Sequence, residues 1–163
     1  MTTEAAFTDE EWERVRRAPM VAGMAISLAD PGGPIELSKE TMATLRGVGA
    51  PPSQDELLLV VSQQVMAMGQ QRENPMKGFE VADKSQAGAA VLQELRETLD
   101  LVEAKATPEE AQAFARWMVE IAQDAADAAK EGGFMGFGAE QVSAGEQRML
   151  DQLRATLGVT AEP

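Results

Sequence analysis

The feature that most constrains this chain is a helix-start signal that recurs four times. Thr8-x-x-Glu11, Ser53-x-x-Glu56, Thr107-Pro108-Glu109-Glu110 and Ser143-x-x-Glu146 each place a hydroxyl three residues ahead of an acid. In such a box the hydroxyl accepts from a free backbone N–H of the new helix, and the acid accepts from the backbone N–H of the cap. Each box is followed by apolar residues at helical spacing. The first leads into Trp12, with Phe7 at the staple position outside it. The second opens onto Leu57, Leu58, Val61, Val65 and Met68. The third, which adds a proline in its first turn, precedes Phe114, Trp117, Met118, Ile121, Ala122 and Ala125. The last precedes Met149, Leu150, Leu153 and Leu157, with Gly158 placed to end the helix in a left-handed conformation.

The remaining segments read the same way. A first helix is expected over Asp9 to Arg17. Pro19 then either begins a second helix or kinks the first, and Met20, Val21, Met24, Ala25 and Leu28 form its stripe. Asp30-Pro31-Gly32-Gly33-Pro34 reads as a stop. Ser38 is the expected cap of a short helix reaching about Val48. A long helix from about Asp83 carries Val91, Leu92, Leu95, Leu99 and Val102. The β-branched run within Leu57–Val61 also suits a strand, but the cap, the following glutamines and the length favour a helix. Nothing alternates like a sheet. The fold class is therefore all-α: a compact bundle of six to seven helices in a single domain over residues 1–163, frayed at 1–7 and 159–163.

Composition removes most catalytic chemistry. The chain has no cysteine, histidine or tyrosine. Disulfides, thiolate chemistry, Ser-His-Asp triads and His-metal centres are excluded within it. The net charge of −13 opposes nucleic-acid backbones and anionic membranes, and favours solubility, cations and basic partners. No run of apolar residues is long enough for a transmembrane segment, and the first residues lack a secretion signal, so a cytoplasmic address is expected.

The stretch Gly133-Phe134-Met135-Gly136-Phe137-Gly138, followed by Val142-Ser143-x-x-Glu146 and a leucine stripe ending at Leu157-Gly158, resembles the C-terminal helix of tellurite-resistance TerB-like domains. The opening Trp-containing helix, with its Ala18-Pro19-Met20-x-Ala22-Gly23-Met24 segment, is similar to uncharacterised bacterial all-helical proteins. The likeness covers about 25 residues at each end. It implies an all-helical bundle and a link to stress. In TerB-like domains an alanine-aspartate pair near such a turn is implicated in metal binding. Here the turn before Val142 has no aspartate, and Ala29-Asp30 alone reads as such a pair.

Two candidate sites follow. Without His or Cys, a metal site would need hard oxygen ligands suited to calcium or magnesium, and Asp30 with Glu36 are the candidates. Glu109 and Glu110 suit the positive end of a helix instead. The methionines Met20, Met24, Met66 and Met68 read as packing rather than a copper(I) site. The second candidate is the loop holding Phe134, Met135 and Phe137. Either its aromatics fold back into the core, or they form an apolar patch for a partner. Arg14, Arg16 and Arg17 are expected to complement the end of the first helix. No catalytic residue is assigned. The expected function is a non-enzymatic interaction or adaptor module that needs no cofactor and binds a protein partner or itself through Phe134–Phe137. The alternative is a calcium-type cation-binding protein using Asp30.

Overall fold

A computed structural model describes residues 1–130 and 142–160, with Lys130 described by its backbone alone. Six α-helices carry the fold among the described residues: α1 (Asp9–Ala29), α2 (Pro34–Gly49), α3 (Glu56–Gln70), α4 (Ala87–Lys105), α5 (Pro108–Lys130) and α6 (Ala144–Leu157). Short 3-10 turns at Glu4–Ala6 and Lys84–Gln86 precede α1 and α4. There is no strand among the described residues. The protein is an all-helical bundle.

Three of the four boxes close as expected. Thr8 accepts from the Glu11 N–H at 3.3 Å, and Glu11 accepts from the Thr8 N–H at 2.8 Å. Thr107 and Glu110 exchange the same pair of bonds at 3.2 and 3.0 Å, as do Ser143 and Glu146 at 3.2 and 2.8 Å. Phe7 packs on Trp12 with ring centroids 5.6 Å apart. Gly158 ends α6 at φ 65°, in the left-handed region. The fourth box does not form. Ser53 donates to the Asp55 carboxylate instead, and Asp55 is the cap of α3, so Glu56 is the first helical residue rather than the third.

Two further boundaries differ from expectation. Ser38 is no cap, because α2 already begins at Pro34. Proline supplies a first-turn residue with no N–H to satisfy, and Glu36 accepts from the Gly33 N–H at 2.6 Å. The Asp30–Pro34 run is thus both the stop of one helix and the start of the next. Of the two readings open for Pro19, a new helix is excluded: it lies inside α1, which runs on to Ala29 instead of ending at Arg17. An interior proline loses one backbone bond and costs about 3 kcal/mol. Burial on both sides offsets this, since Val15, Ala18, Val21, Ala22 and Ile26 are fully covered, and a buried Val or Ile stabilises by roughly 1.5–3 kcal/mol.

α1 is the hub and packs against all five other helices. Its small residues let neighbours approach closely. At Gly23, for instance, an added Cβ would run into the side chain of Thr44 on α2. Most of the buried apolar side chains form one connected cluster drawn from all six helices, with Phe114 and Trp117 of α5 its largest fully buried members. Thr2 is buried, its N–H and hydroxyl donating to Glu110 at 2.8 and 2.7 Å. At the other end, Val159 donates to the Arg154 carbonyl and packs on the core.

Candidate functional site

Phe134, Met135 and Phe137 lie outside the described residues. The ends of that connection are placed. α2 and α5 run antiparallel: Trp117 donates its indole N–H to the Gly47 carbonyl at 3.0 Å, while Ala43 shares a surface groove with Asp124, Asp127 and Ala128. α5 therefore ends beside the first turns of α2. α6 begins nearby, its Gly145 packed so closely on the end of α1 that a Cβ there would sit 3.0 Å from the Ala29 carbonyl oxygen.

Against that frame α2 has two unlike faces. Glu40, Ala43, Thr44 and Val48 are buried. The opposite face carries Ile35, Met42 and Gly49 at heptad spacing, with Leu45 between the last two. Ile35 is 73% exposed and Met42 58%, whereas Leu37, 51% exposed, falls on the side of Glu40 and Thr44, about 200° round the helix from Ile35. Apart from Met1, the one other exposed large apolar side chain among the described residues is Met66. It belongs to α3 and stands next to Gly49, with its sulfur 3.8 Å from where a Cβ would be. The patch thus continues from α2 onto α3. Sequence reading missed it because α2 was expected to start at Ser38, which left Ile35 and Leu37 in a loop. The signal that finds it is Pro34 with Glu36, which move the cap back five residues, from Ser38 to Gly33.

Asp30 and Glu36 are exposed, and Glu36 is engaged at the Gly33 N–H. Among the described residues no group of three or more Asp and Glu side chains is placed to hold a metal ion. The same corner does hold a carboxylate that sequence reading passed over. Glu40 is only 3% exposed and accepts a hydrogen bond from the Ser27 hydroxyl of α1. Burial pushes its carboxyl above the ordinary value, the Ser27 bond opposes this, and Glu146, Glu36 and Asp30 add to the rise.

The arginine cluster has a different task from the one expected of it. Because α1 continues to Ala29, Arg14 and Arg17 sit in its middle. Arg17 meets Glu94 of α4 at 2.6 Å, both nearly buried, and also donates to the Lys77 carbonyl at 3.4 Å. Arg14 bridges Glu94 and Glu97 at 3.4 and 2.7 Å. This network clamps α1 to α4 and holds the connection that precedes α4.

A groove of about 500 Å³ lies between α4, α5 and the end of α6, floored by Leu99, Ala115 and Leu157 and rimmed by Arg96 and Arg116. Arg96 is taken by Asp100, Glu103 and the Thr156 carbonyl, so it ties helices together. The groove runs out at Thr160, where the described residues end. No helix among the described residues is long and apolar enough to cross a membrane. No protein-family model, no curated protein and no solved structure matches the chain.

Proposed function

We propose that the protein is a non-catalytic interaction module that receives an amphipathic partner helix along the outer face of α2. The observation that carries this reading is the exposure of Ile35 and Met42 on a helix whose other side is buried, with Met66 of α3 beside them. Exposed apolar side chains gathered on one surface, rather than scattered singly, mark contact sites. Heptad spacing over two turns suits a helix laid alongside, and Met42 and Met66 give the surface the adaptability that thioethers bring to binding grooves. The likeness of the C-terminal stretch to TerB-like domains adds a fold-level argument for a helical adaptor tied to stress, and fold-level likeness carries no activity. The absence of histidine, cysteine and tyrosine from the chain argues in the same direction.

The double variant Ile35→Asp, Met42→Asp tests the surface. Both side chains face water, so its melting temperature should stay within about 2 °C of wild type, in keeping with the ±0.5 kcal/mol of ordinary surface changes. A partner captured by the wild type is then purified and titrated against both proteins. Loss of at least about tenfold in affinity, or roughly 1.4 kcal/mol, supports the reading. A partner that binds both proteins equally overturns it.

A further inference from the structure

Three helix ends meet at one corner: the end of α1, the start of α2 and the start of α6. Glu40 lies inside it, 3% exposed, and among the described residues its hydrogen-bond partner is the neutral Ser27 hydroxyl. The charges that act on it are carboxylates: Glu146 from α6, Glu36 from α2 itself and Asp30 from the end of α1. Two of these are pinned. Glu146, 6% exposed, accepts from the Ser143 N–H at 2.8 Å, and Glu36 accepts from the Gly33 N–H at 2.6 Å. Neither can swing away without uncapping its helix. From α5, Asp124 and Asp127 stand farther along α2, beside Ala43 and Arg46. Lys39 and Arg46 are the cations of α2. Arg46 acts on Asp124 instead, and Lys39 occupies the adjoining position, half-buried.

We propose that this corner is an acid-tightened clasp: with Glu40 protonated, α1, α2 and α6 draw together, and with Glu40 ionised, the first turns of α2 and α6 loosen. A neutral carboxyl has one proton to donate and no charge to set against Glu146, Glu36 and Asp30. An ionised one keeps a full charge in a buried place with no ion-paired cation among the described residues, which is costly unless the structure gives way. The sign follows from linkage. A carboxyl raised in the folded state makes a contribution that is fully present below the unfolded value of about 4.3 and is lost as pH rises through the folded value. Because Glu40 lies on the inner side of α2, the clasp also governs how firmly the outer face is presented. That last consequence rests on the partner-surface reading, whereas the clasp does not.

The test is amide hydrogen exchange of residues 35–41 and 144–148, at about pH 5 and about pH 7.5, corrected for intrinsic exchange. Wild type should lose roughly threefold or more of its protection at the higher pH, and Glu40→Gln should keep its protection at both. Equal protection of wild type at the two pH values overturns the clasp, as does a Glu40→Gln protein that shows the wild-type loss. Should Glu40→Gln fail to fold, the carboxyl carbon of Glu40 in wild type is followed by NMR. A midpoint above the ordinary glutamate value supports the clasp, and one at or below it overturns the idea. None of these readouts involves a partner, so the clasp and the partner surface fail independently.

Discussion

Two buried glutamates show how far a residue's surroundings decide its chemistry. Glu40 and Glu110 are 3% and 5% exposed. Burial works to raise both carboxyls. At Glu110 it is outweighed by the Thr107 backbone N–H, by the hydroxyl and N–H of Thr2 and by the amino group of Met1, which together hold the carboxyl at about 2. Glu40 has a single hydroxyl and three like charges, and moves the other way. Their pH signatures are therefore opposite. The contribution of Glu110 is present above its unfolded value and is lost as pH falls through about 2. Glu110→Gln should flatten the acid limb of a stability-against-pH curve measured by urea unfolding, and an unchanged limb refutes the assignment. A third buried acid, Glu94, holds Arg17 at 2.6 Å. Glu94→Ala leaves that guanidinium buried without its carboxylate, so a loss of about 3–5 kcal/mol is expected in the same assay.

At the scale of elements, α1 and α2 depart most from what their sequences suggest. In α1 an interior proline is tolerated because the helix is the hub of the bundle and is buried along most of its length. Pro19→Ala restores a backbone donor at the position of a lost bond. It should raise stability by roughly 1–2 kcal/mol, the proline penalty less some lost packing. A drop on substitution would mean that Pro19 is held for its packing rather than endured. In α2 the inner face is fixed by Thr44 against Gly23, Trp117 against Gly47 and Glu40 against Ser27. Its outer face has no such neighbour among the described residues beyond Met66, which is why a partner helix is assigned there and not to the better-covered helices.

At the scale of the whole molecule, the net charge of −13 is the dominant fact after the core itself. Self-repulsion among like charges works against the compact state and is screened by salt, whose Debye length shrinks from about 30 Å at 0.01 M to about 8 Å at 0.15 M. Melting temperature should therefore rise between those two ionic strengths. If it falls instead, the exposed ion pairs, such as those of Arg96 with Asp100 and Glu103, outweigh the general repulsion.

The sequence by itself determined the fold class, most of the helices and the means by which three of the six α-helices start. Those properties are local: a hydroxyl and an acid three residues apart, or a stripe of leucines, acts over a single turn or a single face. Local reading failed where two signals overlapped. Asp30–Pro34 stops one helix and starts another, and Pro19 has a meaning that depends on what buries it. Tertiary structure alone decided that Thr2 would be pinned to Glu110, that Arg14 and Arg17 would clamp α4, and that Glu40 would share a corner with Glu146. Each of these joins residues far apart in the chain, and no spacing within a segment encodes which helix faces will meet. Which apolar stripe is covered and which is left to water is the same kind of fact. Ile35 and Met42 repeat as regularly as the leucines of α6, and only the packing of the other five helices leaves them outside.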